Sequence, residues 1–212
     1  LVVRFSMTPG ESERIAGTDQ RAVAISPDGS RIAFLGLVGQ RRLLFVRPLN
    51  SLDATTVEGT DGARNPFFSA DGRWIGFYLD RRLMKVSIER SGAPVVVGAI
   101  PALDHLATRD MALLESNPFG ISWGVDDAIL VGLGSEGIWR VPAAGGPAES
   151  VVSVEPGEWA HGPQLLPDGE SVLYTLRPRG TTSWDDAEVV VQSLKTGARQ
   201  VVVEVLQVQD KT

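Results

Sequence analysis

Apolar residues along this chain fall into short runs, and four of those runs follow the same kind of polar turn. The turns are Ser26-Pro27-Asp28-Gly29, Ser69-Ala70-Asp71-Gly72, Gly124-Val125-Asp126-Asp127 and Leu166-Pro167-Asp168-Gly169. The runs read Arg31-Ile32-Ala33-Phe34-Leu35, Arg73-Trp74-Ile75-Gly76-Phe77-Tyr78, Ala128-Ile129-Leu130-Val131 and Ser171-Val172-Leu173-Tyr174. Their length and their aromatic and branched content predict strands. The turns carry the chemistry a hairpin needs: proline fixes φ at the first corner, aspartate bonds to the backbone two residues on, and glycine takes positive φ. Asp127 stands where the other copies have glycine, and aspartate tolerates that conformation better than most residues.

Two further sets of strands keep the same order. Leu43 to Leu49, Leu83 to Ile88, Gly137 to Pro142 and Val189 to Leu194 follow the first runs, and Thr55 to Val57, Pro94 to Val97, Ser150 to Val152 and Gln200 to Val203 follow those. With the segment before each turn, every period holds four strands. The turn aspartates stand at 28, 71, 126 and 168, spacings of 43, 55 and 42 residues. A four-stranded propeller blade repeats every ~40 to 45 residues, so the pattern predicts an all-β propeller of four-stranded antiparallel blades with one insertion.

The second strand of each blade is apolar at successive positions, as when sheets stack and bury both faces. Phe34, Trp74, Phe77, Tyr174, Trp123 and Trp139 are accordingly read as packing between blades. Residues 21–60, 61–98, 118–154 and 155–205 form the four blades. Residues 1–20 supply a strand of an incomplete or closing blade, 99–117 an insertion and 206–212 a tail. In the insertion Leu103, Leu106, Met111 and Leu114 approximate a helical stripe after Pro101, so a short helix or a covering loop is expected there.

Composition narrows the function. The 212 residues are 43% apolar, enough for a core, and carry 20 Lys+Arg against 26 Asp+Glu, a net charge of −6. That field repels phosphate backbones and anionic lipid, so no nucleic acid is expected as a partner. Without cysteine there is no disulfide framework and no thiolate metal site. The longest apolar stretches are far below the ~18 residues of a membrane helix, so no direct membrane insertion is expected. Leu1 is not a start methionine and Arg4 follows at once, so the chain is read as a piece of something longer.

The Ser-Pro-Asp-Gly turn followed by an apolar strand resembles the bacterial WD40-like, TolB-type β-propeller repeats. Gly62-Ala63-Arg64-Asn65-Pro66-Phe67-Phe68-Ser69 and Gly137 to Gly146 are most similar to propeller sensor regions of receptor-type serine/threonine kinases. The resemblance implies a six-bladed type of ring, an extracytoplasmic or periplasmic location and a sensor or interaction role. Four blades then make a partial ring completed by the remainder of the same polypeptide, and Val2-Val3-Arg4-Phe5-Ser6 is expected as the outer strand of a further blade. An open arc should expose large side chains near Ile32 to Leu35 and Val172 to Tyr174.

Several motifs that suggest catalysis lack their structural context. Gly120-Ile121-Ser122-Trp123-Gly124 matches the nucleophile elbow, but a strand is expected after it where the elbow needs a helix. Gly132-Leu133-Gly134-Ser135-Glu136-Gly137 matches a dinucleotide-binding fingerprint, yet it too runs into a strand and reads as a hairpin loop. His105 and His161 lack metal-ligand spacing, and the pairs Asp126-Asp127 and Asp185-Asp186 read as solvated loop acids. His161, before Gly162-Pro163-Gln164, is taken as structural. No catalytic residue, metal or cofactor is expected in this chain.

Binding is expected on the loops. In a meander the first-to-second strand turns share one face, with Asp28, Gly29, Asp71, Gly72, Asp126, Asp168 and Gly169 in structural roles. The second-to-third strand loops lie on the other face and carry Arg41, Arg42, Asp80, Arg81, Arg82, Arg177, Arg179 and Trp184. A locally basic, loop-rich face on a rigid scaffold suits an anionic ligand or an acidic peptide. The preferred reading is thus a noncatalytic sensor or interaction propeller of a receptor kinase or TolB-like envelope protein, binding a protein or small molecule. The alternative is the gating propeller of a prolyl-oligopeptidase-like hydrolase whose catalytic domain lies outside this chain. A propeller sugar lyase would need a histidine-rich metal centre, which the sequence does not offer.

Overall fold

A computed structural model describes residues 14–15, 21–89, 92–100 and 118–203. The first blade contains β2 (Val23–Ile25), β3 (Arg31–Val38), β4 (Arg41–Pro48) and β5 (Thr55–Thr56), and the second β6 (Arg64–Phe68), β7 (Trp74–Leu79), β8 (Arg82–Ser87) and β9 (Val95–Ala99). The third holds β10 (Ile121–Trp123), β11 (Ala128–Gly132), β12 (Ile138–Pro142) and β13 (Glu149–Val152). The fourth holds β14 (Trp159–Leu165), β15 (Ser171–Arg177), β16 (Glu188–Ser193) and β17 (Arg199–Val203). Within each blade every pairing is antiparallel between neighbours in sequence, so the protein is all-β with four meander blades. A 3-10 turn, Trp184–Asp186, precedes β16. Among the described residues no helix is long and apolar enough to cross a membrane.

A short strand β1 (Arg14–Ile15) also falls within the segment 1–20. It pairs Arg14 with Leu37 and Ile15 with Gly36, extending the inner edge of blade 1 beside β2. Val2 to Ser6, residues 101–117 with their expected helix, and the tail lie outside the described residues. Ala99 ends β9, so the second blade reaches into the segment assigned to the insertion.

The turns fold as their chemistry dictates. Ser26 Oγ donates to Asp28 Oδ1 at 2.6 Å, and the Ser30 amide donates to the same carboxylate at 3.0 Å. Ser69, Asp71 and Arg73 repeat the arrangement, and Asp168 accepts from the Glu170 and Ser171 amides. Gly29, Gly72 and Gly169 all sit at φ of 68° or 69°. Asp127 takes that place at φ 57°, but its turn is one residue shorter: Gly124 N bonds to Ala128 O, where Ser26 N bonds to Arg31 O.

Blades stack through three apolar layers. Ala33, Leu35 and Leu44 of blade 1 meet Phe68, Ile75, Phe77 and Val86 of blade 2. Phe67, Tyr78 and Leu83 then meet Trp123, Ile129, Val131 and Val141. Leu130, Ile138 and Val152 of blade 3 meet Val172, Tyr174, Leu176 and Val190 of blade 4. Phe67 fits its layer because it lies across Gly76, where a Cβ would come within 2.2 Å of the ring.

Two expectations about the ends are corrected. Val172 and Tyr174 are buried against blade 3, and Ile32 and Phe34 are buried with Phe45, whose ring stacks on Phe34 at 5.2 Å. The second strand of blade 4 is also not buried on both faces. Ser171, Leu173, Thr175 and Arg177 are only half-buried, alternating with buried neighbours, because blade 4 packs on one side only among the described residues. The outer strands do expose apolar side chains, at Val95 and Val96 of β9 and Val201 to Val203 of β17, and so do the turns at Leu52 and Val125 and the inner strand β2 at Ile25.

The first strands β6 and β14 each carry one extra residue. In β14 the pairs His161–Thr175 and Gln164–Leu173 bracket Gly162 at φ 62°, and in β6 Arg64–Tyr78 and Phe67–Gly76 bracket Asn65 at φ 47°. Such bulges redirect a strand and aim its side chains. Here both dock on blade 3: Asn65 Nδ2 donates to Pro118 O at 3.0 Å and Gly162 N to Phe119 O at 2.7 Å.

Candidate functional site

The first strands β2, β6, β10 and β14 stand side by side, as the inner strands of propeller blades do, and leave a cavity of about 510 Å³. Ile25, Phe67, Trp123 and Leu165 supply apolar wall, and Arg21, Ser122 and Gln164 the polar groups. Arg21 reaches across to Ile121 O at 3.4 Å. Ser122 Oγ is buried and has no hydrogen-bond partner among the described residues. Its strand β10 runs into strand β11, so the strand-to-helix geometry of a nucleophile elbow is not formed. The glycine-rich stretch 132–137 is likewise a hairpin loop between β11 and β12, with Gly134 at φ 59° and Gly137 at φ 73°.

Most of the loop-face candidates stand apart. Arg41 is tied to Asp61 at 2.8 Å and Arg42 reaches Gly62 O at 3.3 Å, so both tie blade 1 to the start of blade 2. Asp80 and Arg81 form a tight turn with positive φ at both positions, 49° and 64°, which directs Arg82 into β8. Arg179 lays its side chain against Gly157. Arg177 and Trp184 do come together. The Arg177 guanidinium lies 4.8 Å from the Trp159 ring centre and 5.5 Å from that of Trp184.

Three residues not singled out as binding candidates complete this cluster. Trp159 lies directly opposite Arg177 on β14. His161 sits 5.3 Å from Trp184, and Phe119 packs edge-on against Trp159 at 5.3 Å. Desolvation, and secondarily the charge of Arg21, hold the His161 imidazole below its usual pKa and favour the neutral ring. The turn acids behave differently. The Ser26 hydroxyl, then the Ser30 amide, lower Asp28 to about 2, and similar bonds lower Asp71 and Asp168. Asp126 pairs with Arg140 and Asp127 accepts from Trp123 Nε1 at 2.8 Å, so the adjacent acids serve the turn. Among the described residues no three histidine, aspartate or glutamate side chains converge as metal ligands. His105 lies outside the described residues.

No family model matches this sequence, nor does any curated protein. Solved structures do. TolB from Acinetobacter baumannii is similar over 87% of this chain and 43% of its own, with 17% identity and a TM-score of 0.62. A putative TolB from Agrobacterium tumefaciens is similar over 86% of this chain and 64% of its own, with 17% identity and a TM-score of 0.64. The fold is a TolB-like β-propeller. The β-propeller domain of the Trilobed protease from Pyrococcus furiosus, described as having an open velcro topology, shares 10% identity over 87% of this chain and 57% of its own, with a TM-score of 0.53. This TolB-like propeller thus spans less than two thirds of the length of each.

Proposed function

We propose that this TolB-like propeller is a noncatalytic binding domain that takes a protein or small-molecule ligand in its axial cavity. The parent is a bacterial receptor serine/threonine kinase or a TolB-like envelope protein, with the propeller outside the cytoplasm. The observation that carries the reading is the cavity itself. It combines apolar wall with a few polar groups, Arg21 and Gln164 among them, the usual make-up of a recognition site. The sensor role and the location come from the repeat resemblance. A larger, six-bladed type of ring belongs to the same proposal, and further blades of the polypeptide would stack on blade 4.

The test is a photo-crosslinking amino acid placed at Gln164, in the cavity, and separately at Lys195, on an outer turn, in the full-length protein in its host. A discrete adduct from the cavity position alone is the expected result. Equal adducts from both positions, or none from Gln164, overturn the cavity as the binding site. Covalent labelling of Ser122 by a fluorophosphonate, abolished in Ser122→Ala, overturns the noncatalytic reading.

A further inference from the structure

At the end of β14 and β15 where Trp159 packs on Phe119 and beside Gly134 of blade 3, the Arg177 cation is flanked by two indoles and has no carboxylate partner among the described residues. Its only hydrogen bond there is a long one, from Nη1 to Thr182 O at 3.4 Å, and its Nε is buried without an acceptor. The indole N–H groups of Trp159 and Trp184 also donate no hydrogen bond among the described residues. Dehydrating a cation between aromatic faces strengthens its pull on any anion that reaches its free edge. The neighbouring Glu158 does not fill that role, because it is engaged by Arg199 at 3.1 Å.

The cluster is specific to this blade. The connections between second and third strands are tight turns at 39–40 in blade 1 and 80–81 in blade 2, whereas in blade 4 the connection spans 178–187. That longer loop places Trp184 over Arg177, with Ser183 capping the 3-10 turn, and leaves Trp184 38% exposed. Blade-on-blade stacking elsewhere among the described residues rests on apolar layers with single polar contacts such as Lys85 Nζ to Ala143 O at 2.8 Å, and uses no such loop. Tryptophan with arginine, central and partly desolvated, is the side-chain combination that anchors protein partners. The Arg177 guanidinium is the positive group of the cluster, so the charge complement is acidic.

We infer that Arg177, Trp159 and Trp184 form a docking point for an acidic peptide segment of a partner protein, whose carboxylate takes the free edge of Arg177 and whose adjoining apolar side chain covers Trp184. This goes beyond ligand binding in the axial cavity and rests on different residues.

The experiment measures fluorescence anisotropy of a fluorescein-labelled peptide of alternating glutamate and leucine, titrated with the 212-residue chain. Saturable binding is expected, weakened by salt and reduced at least about tenfold by Arg177→Gln and by Trp184→Ala. Arg41→Gln leaves it unchanged, and a peptide with lysine in place of glutamate does not bind. Circular dichroism and the thermal midpoint confirm that each variant is folded. If Arg177→Gln is not, Trp184→Ala decides the matter, because its ring is partly exposed. No binding, binding unaffected by either variant, or equal binding of the lysine peptide overturns the inference. Displacement of the peptide by a tri-uronate at equal concentration overturns the peptide assignment in favour of an acidic saccharide. The crosslinker at Gln164 plays no part in this titration, so either reading can fail alone.

Discussion

Strands β11 and β15 occupy the same place in consecutive blades, yet one is buried at every position and the other at every second position. Blade 3 lies between two sheets. Ile129 and Val131 face blade 2 while Leu130 faces blade 4, so β11 has no side to give to water. Blade 4 turns Val172, Tyr174 and Leu176 towards blade 3 and keeps Leu173, Thr175 and Arg177 on its other face. Among the described residues the burial of a propeller strand is therefore set by how many neighbours its blade has, and Arg177 shares the half-buried side of β15 with Leu173 and Thr175.

The largest test of that difference is a pair of truncations. Leu130→Ala removes a fully buried side chain between two blades and should cost about 2 to 5 kcal/mol, whereas Leu173→Ala should cost about 1 kcal/mol or less. Urea unfolding of the two variants checks this, and equal losses would show that the face of blade 4 carrying Leu173 is covered in solution. A pair of glycines sharpens the point on the backbone. At Gly137 a Cβ would meet the Val152 carbonyl at 2.0 Å, while at Gly180, with a similar positive φ of 85°, it meets nothing. Gly137→Ala is expected to cost about 1 to 3 kcal/mol and Gly180→Ala about 1 kcal/mol or less.

Within blade 4 the two faces can be compared directly. Tyr174 donates to Gln192 Oε1 at 2.7 Å in the buried layer, so Tyr174→Phe should lose about 0.5 to 1.5 kcal/mol. Thr175→Val on the opposite face should stay within about 0.5 kcal/mol. The smallest effect concerns the turns. Asp28, Asp71 and Asp168 are more acidic folded than unfolded, so their contribution is present above about pH 4 and fades as the pH falls towards 2. Asp28→Asn and Asp168→Asn should each flatten the acid limb of stability against pH, read from thermal midpoints between pH 2 and 6.

The blades were legible because their turns are written in local chemistry: Ser26 and Asp28 find each other two residues apart, without help from the rest of the chain. The contrast between β11 and β15 was also present, since Ala-Ile-Leu-Val is continuous while Ser171, Thr175 and Arg177 interrupt the other run, but one rule for all second strands passed over it. The shortened third turn hid behind a matching aspartate at position 126. The Arg177 cluster was half visible. Arg177 and Trp184 stand out on a long loop, whereas Trp159 joins them through strand pairing across the Asp168 hairpin, and Phe119 comes from another blade. Contacts of that kind depend on register and on blade order, which local propensity does not encode.

The glycine that brackets the proline in β14 acts as a phase shifter. Residues 161 and 164 differ in parity, so an uninterrupted strand would send them to opposite sides. The extra residue instead pairs both with odd-numbered partners, Thr175 and Leu173, on one side. Deleting Gly162 would restore simple alternation and turn Trp159 and His161 to the opposite face of the sheet, away from Arg177, with Gln164 and Leu165 left in place. One residue of chain length, carrying no chemistry of its own, decides which side of the sheet the indole joins.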